Sequence, residues 1–349
     1  MSRFTHRSLP SVLALGASAF LLAACAEPAE DNAASTSGSA AEGETVTLTV
    51  YTSEPEAKVD EINRAFMEAN PDIEVEVYRA GTGDLNARIA TEKETGTIGA
   101  DVLWAADAPT FEGYAESGDL AELQDVNTDG IIDEAVDEEG YYVGTRIIPT
   151  VIAYNTDVME QDQLPASWAD LTDPKYRDQI VMPDPAVSGA AAFNASAWKN
   201  NEDLGEEWII ALGENNPMIA ASNGPTSQEI AGGGHPLGVV VDYLVRDLAA
   251  EGSPIEVIYP TDGVPYITEP AGVFADSENQ EAAERYINFL LSKEGQELAV
   301  EQNYLPVRED VGTPAGTPAL ADTALMEMDL DTIIADQANA VEVFQKAMQ

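Results

Sequence analysis

The chain has 349 residues, with 63 Asp and Glu against 16 Lys and Arg and a formal charge of −47. Such a field repels polyanions, which excludes nucleic acid and anionic headgroups as partners because both are held mainly by basic contacts. The single cysteine, Cys25, leaves no intrachain disulfide and no thiolate metal cluster.

The chain opens with Arg3 and Arg7, an apolar run over residues 13–24 and then "LAAC" ending at Cys25. A charged start, a short apolar stretch and small residues predict a signal peptide over residues 1–24 rather than a membrane span. Small residues directly before a cysteine resemble the lipobox of bacterial lipoproteins, which implies an exported protein anchored through a lipid on Cys25. It would lie in the periplasm or on the outer face of the cytoplasmic membrane. Residues 25–44, rich in Ala, Ser, Gly and Glu, predict a disordered tether. About three hundred residues follow, enough for one large domain or two lobes.

"TVTLTVYTS" alternates and is β-branched, and the next segment places Val59, Ile62, Phe66 and Met67 on one helical stripe. "IEVEVYR" predicts a second strand, residues 82–94 a second helix and "ADVLWAA" a third, buried strand. This β-α-β-α-β order implies parallel strands whose carboxyl ends gather loops at one edge. Gly81 and Gly83, at one such end, are candidates for an anion cradle in front of a helix N-terminus. "RIIPTVIAYNTDV" is an extended segment interrupted at Pro149 and predicts a hinge strand. Beyond it come a strand at 179–182, a helix beginning near Ser188 and Gly189, "LGVVVDYLVRDLAAEG" as strand then helix, and the strand "IEVIYP". "VPYITEPAGVFA" returns to the first lobe, followed by helices over 280–292 and 293–303. The expected division is 45–149 plus 265–349 for lobe 1 and 150–264 for lobe 2, hinged at 147–151 and 265–269.

The stretches "ADVLWAADAPTFEGYAESGDLAEL", "PTVIAYNTDVM", "PASWADLTDPKYRDQIVMPDPAVSGAAAF" and "AAERYINFLLSKEGQELAVEQNYLPVRED" resemble the two-lobed solute-binding proteins of bacterial ABC importers. The likeness is to the group that binds ferric iron, phosphonates, sugar phosphates and polyamines. It implies an α/β fold of the type II periplasmic-binding-protein kind, with mixed sheets, helices on both faces and a ligand held between the lobes. It further implies a monomer that delivers a small solute to a membrane permease and its ATPase, with no cofactor required. Carried over by loop position, the ligand-binding candidates are Thr52, Ser53, Thr82, Gly83, Ala106, Asp107, Ser188, Gly189, Asp242, Tyr243 and Glu269. Arg146 is preferred over Arg79 and Arg246 as the charge partner of an anion, because a guanidinium matches phosphate geometry. Iron binders of this group carry consecutive tyrosines where this chain reads Asp242-Tyr243-Leu244, so an organic anion is expected ahead of ferric iron.

"DVNTDGIID" begins like a calcium loop, with Asp125, Asn127, Asp129 and Asp133 as oxygen donors, but Val136 stands where a bidentate glutamate is needed. A structural calcium there is an expectation. Catalytic materials are thin: beyond the leader the chain holds one histidine, His235, and no nucleophile elbow surrounds Ser188. A binding protein rather than an enzyme is expected.

Overall fold

A computed structural model describes residues 45–318 and 322–349. The expected signal peptide, Cys25 and the expected tether lie outside the described residues. The alternating N-terminal segments build a five-stranded sheet from β1 (Val46–Thr52), β2 (Ile73–Arg79), β3 (Val102–Trp104), β4 (Tyr142–Gly144) and β11 (Pro270–Val273). Its order is β2-β1-β3-β11-β4, with β1 parallel to β2 and β3 and with β11 antiparallel to its neighbours. The crossover helices are α1 (Glu56–Ala69) and α2 (Thr82–Thr95), and α3 (Ala108–Glu116) follows β3. Val59, Ile62 and Phe66 of the predicted stripe are buried with Leu48, Val50 and Trp104, and α8 (Gln280–Leu291) seals the same core with Tyr286 and Ile287.

The second sheet runs β10-β5-β8-β6-β7, with β9 also paired to β5. These strands are β5 (Ile148–Asn155), β6 (Ile180–Pro183), β7 (Met218–Ala220), β8 (Leu237–Val241), β9 (Ile255–Ile258) and β10 (Tyr266–Ile267). Every residue of β5, β6 and β8 is buried, as continuous apolar runs covered on both faces require. The covering helices include α4 (Gly189–Asn200), α5 (Gly205–Gly213), α6 (Asn223–Gly232) and α7 (Asp242–Ala250). Trp168, Trp198 and Trp208 stack in series beneath them, with centroids 5.2 and 5.5 Å apart.

The chain passes from one sheet to the other between β4 and β5 and returns between β10 and β11. At that crossing Thr145 N–H donates to the Thr268 and Glu269 carbonyls, both at 3.0 Å. The exchange therefore falls at residues 145–147, slightly before the first expected hinge segment, and at 268–269, within the second. Pro149 does not interrupt the strand: it sits near the start of β5, beside the two-residue β10. Helix α9 (Lys293–Glu301) belongs to the first lobe, but the C-terminal helix α10 (Leu330–Ala347) does not, contrary to the division expected above. Its buried residues Ile333, Ala340 and Phe344 join the second-lobe core. The reason is the apolar stripe of α10, which finds its complement on α4 and α5 after a segment that pairs Leu325 with Val264. Among the described residues no helix is long and apolar enough to cross a membrane.

The loop at 125–133 is tied to α8, where Glu284 accepts from the Gln124 and Asp125 N–H groups at 2.8 Å. Asn127 Oδ1 accepts from Asp129 N–H at 2.8 Å, and Arg308 Nη1 reaches the Asp129 carbonyl at 3.4 Å. Among the described residues no three acidic, histidine or cysteine side chains converge as a metal site, Asp125, Asp129 and Asp133 included.

Candidate functional site

Between the sheets lies a cleft of about 550 Å³. Five helices begin at its walls, because strand ends feed directly into them: α1 behind Glu54 and Pro55, α2 behind Gly81, α4 behind Ser188, α6 behind Ser222 and α7 behind Val241. The N–H groups of Gly189, Ala190, Asn223 and Gly224 find no acceptor among the described residues. Ser188 caps α4, its Oγ accepting from Ala191 N–H at 3.3 Å and from Asn223 Nδ2 at 2.8 Å. Asn223 Oδ1 accepts in turn from Val241 N–H at 3.2 Å, so one amide side chain joins three walls. Thr82 is 3% exposed and no side chain or backbone group among the described residues takes its hydroxyl, which borders the cleft.

One cation stands at the cleft without a carboxylate partner among the described residues. Arg79 holds its position through Nε, which donates to the Glu54 carbonyl at 3.0 Å. Below it the floor is a buried cluster of charges and rings. Arg146, 2% exposed, lies between the Trp104 and Tyr304 rings, 4.4 and 4.3 Å from their centroids. Its Nη1 donates to Glu54 Oε2 at 2.9 Å, while Nε lies 3.2 Å from Glu269 Oε2 but off the hydrogen-bond direction. Burial pulls the guanidinium pKa down, yet Glu54 and Glu269 outweigh it and the net shift is upward. Glu269, fully buried in a left-handed backbone conformation with φ of 39°, is pushed well above the ordinary carboxylate range by burial and then by Glu54. Tyr304 donates to Glu54 Oε2 at 2.6 Å and packs on Tyr243 with centroids 4.3 Å apart. Lys58 sits over both rings and pairs with Asp247 at 2.8 Å, and burial lowers its pKa. Burial, with the charge of Glu54, lifts both phenols far above their usual value.

Of the residues read from the sequence, Ser53, Thr82, Ala106, Ser188, Gly189 and Tyr243 border the cleft. The others do not, each for a local reason. Thr52 is fully buried and accepts from Glu54 N–H at 3.1 Å. Gly81 borders the cleft, but the Gly83 N–H is taken by the Val187 carbonyl of the second lobe at 3.3 Å, and a Cβ on Gly83 would strike the Ala186 carbonyl. Asp107 turns away toward Thr110 and Gln337. Asp242 pairs with Arg246 at 2.8 Å, its pKa pushed up to about 6 by burial against the pull of that arginine. Arg146, the preferred anion partner, is taken by the hydrogen-bonded Glu54 carboxylate, and Glu269 is fully buried beside it. The residues not anticipated are Glu54, Pro55 and the 222–225 turn of α6, while Arg79, set behind Arg146 in the sequence reading, borders the cleft. "SNGP" carried a helix-start signal, a serine followed by Pro225 within the first turn, that could have placed α6. Arg79 follows strand alternation, which is why the sequence favoured Arg146 over it.

Two lobes, crossed by paired hinge strands and enclosing a polar-rimmed cleft, define a solute-binding protein. The model of the bacterial extracellular solute-binding protein family matches residues 61–327, and the chain belongs to that family. A Salmonella typhimurium protein named "Putative 2-aminoethylphosphonate-binding periplasmic protein" is 29% identical over 271 residues, 73% of this chain and 75% of that one. The Fe(3+)-binding periplasmic protein of Serratia marcescens is 23% identical over 280 residues, 78% and 81% of the two chains. Among solved structures, iron-bound HitA from Pseudomonas aeruginosa superposes with a TM-score of 0.77 at 23% identity, covering 87% of this chain and all of that one. AfuA from Actinobacillus pleuropneumoniae, with fructose-6-phosphate bound, gives 0.75 at 23% identity, covering 86% and 97%. The protein is thus an exported solute-binding component of an ABC import system.

Proposed function

We propose that the cleft captures a small organic anion, a phosphonate or sugar phosphate, and that the closed protein delivers it to a membrane permease and its ATPase. The observation that carries this reading is the convergence of the free first N–H groups of α4 and α6, the Thr82 hydroxyl and the Arg79 guanidinium, which is held by the Glu54 and Ser53 carbonyls but has no carboxylate partner among the described residues. Helix N-termini and arginine favour an oxyanion through the same partial charges and N–H geometry. Ile148, Val187, Val241 and Leu244 leave room for the organic part. The names of the phosphonate-binding relative and the fructose-6-phosphate-bound neighbour are in keeping with it.

Ferric iron is the weaker reading. Glu54, Tyr243 and Tyr304 are hard oxygen donors, but Arg146 and Lys58 lie against the same rings, where a trivalent cation would meet two positive charges. His235 lies 2.8 Å from Glu229 and does not border the cleft. Export as a monomer tethered through a lipid on Cys25 completes the reading.

The test is thermal unfolding of the protein against phosphonates, sugar phosphates, polyamines and ferric citrate, followed by calorimetry on Arg79→Ala. A phosphorylated or phosphonate compound should raise the midpoint by ligand linkage. Arg79→Ala should then weaken its affinity about tenfold or more, as loss of one charge-assisted bond predicts. A rise with iron alone, accompanied by colour, would replace this reading with the metal one.

A further inference from the structure

We propose that the C-terminal helix latches the cleft, with Gln337, which rides on the second lobe, holding the first lobe shut through Asp107. The inference rests on the two-lobed closure of the importer reading and is independent of which solute is bound.

Helix α10 moves with the second lobe because it is fixed there at several points. Ser196 Oγ donates to the Ile333 carbonyl at 2.9 Å, and Lys199 Nζ and Asn200 Nδ2 hold Asp336 Oδ2 at 2.8 and 3.0 Å. At its far end the Ala347 carbonyl is pressed onto Gly213, where a Cβ would collide with it. The residue after Asp336 reaches the other way: Gln337 Nε2 donates to Asp107 Oδ1 at 2.9 Å. Asp107 belongs to the first lobe, as the residue between β3 and α3, and is only 5% exposed. Its second oxygen accepts from the Thr110 hydroxyl, and no cation pairs with it among the described residues. A buried carboxylate without a counter-ion depends on its hydrogen-bond donors, and one of its two side-chain donors comes from the opposite lobe.

The position of this bond makes it a latch. Beneath it lies a second cavity of about 370 Å³, with walls from Asn86 and Thr110 on one lobe and from Pro185, Ala192 and Val341 on the other. It shares Thr82 and Gly189 with the main cleft but none of the floor residues Glu54, Ile148 and Tyr243. The two spaces are separated by the contact of Gly83 N–H with the Val187 carbonyl and by Gly189 against the Ala106 carbonyl. Rotation about residues 145–147 and 268–269 carries α10 away from α3, breaks the Gln337–Asp107 bond and returns Asp107 to water. A bond present only in the closed state raises the closed population before ligand arrives and so raises apparent affinity.

Small-angle scattering and amide hydrogen exchange on the ligand-free protein test this without reference to the solute. Gln337→Ala should increase the radius of gyration and speed exchange at Gly83 about tenfold, the effect of losing one charge-assisted bond. Its unfolding midpoint should stay near that of the parent. Asp107→Ala should open the protein similarly, and the double variant should be no more open than either single one. Scattering and exchange unchanged in Gln337→Ala, or strictly additive effects in the double variant, would overturn the latch. Failure of every solute in the unfolding panel would leave these readouts untouched, so the two proposals fail separately.

Discussion

Replacing Arg146 by methionine separates a structural arginine from a ligand-binding one. The guanidinium is 2% exposed, bridges Glu54 and Glu269 at 2.9 and 3.2 Å and fills the gap between Trp104 and Tyr304. Methionine keeps most of the volume but leaves two buried carboxylates facing each other. Removing one partner of a buried ion pair costs about 3–5 kcal/mol. For a domain of this size each kcal/mol lowers the midpoint by about 2 °C, so the expected loss is about 6–10 °C at pH 7.5. The pH dependence identifies the cause. Glu269 already has its folded pKa raised above the unfolded value. A raised carboxyl binds more protons when folded, so its contribution to stability falls as pH rises from about 4.3 through the raised value. Loss of Arg146 removes the positive charge that opposes this shift, and the deficit of the variant should therefore shrink as the pH is lowered. Glu269→Gln should be nearly neutral or stabilising at pH 7.5, because it deletes the acid that burial disfavours. Scanning calorimetry at pH 5, 6.5 and 8, with solute titrations on the surviving folded protein, measures both quantities. An Arg146→Met protein with an unchanged midpoint and abolished solute binding would refute the reasoning and return Arg146 to the ligand.

Gly189→Ala should fold normally in the open state but bind solute at least tenfold more weakly, since a Cβ there meets the Ala106 carbonyl and Thr82 hydroxyl only when the lobes close; calorimetry and scattering on the variant check this. Asp107 is pushed up to about 6 by burial. Its contribution to stability therefore falls as pH rises from about 3.9 to 6, and Asp107→Asn should flatten that part of the urea-midpoint profile.

The alternation of "TVTLTVYTS" and "IEVEVYR", the stripe Val59, Ile62 and Phe66, and the apolar runs of β5 and β8 were enough to order the elements of both lobes and to place the cleft at their strand ends. These signals are local, since period and turn chemistry are written in neighbouring residues. The helix start at Ser188 was legible for the same reason, whereas the broken tyrosine pair at Asp242-Tyr243 was read only from the resemblance to iron binders. What the tertiary structure alone decided is which charges remain for a solute. Arg146 and Glu269 are adjacent to the hinge in sequence and look available, yet Glu54 and Tyr304 close on that arginine from 92 residues before it and from beyond α9. Arg79 looks like an ordinary strand residue, yet the folding of α6 and α4 opposite it makes it part of a cleft wall. The allegiance of α10 was likewise invisible, because a helix stripe shows that an apolar face must be buried but not against which lobe. Pairing across a fold depends on distances that no window of sequence contains, and in a chain with 63 acids each cation's role is set by which carboxylates reach it first.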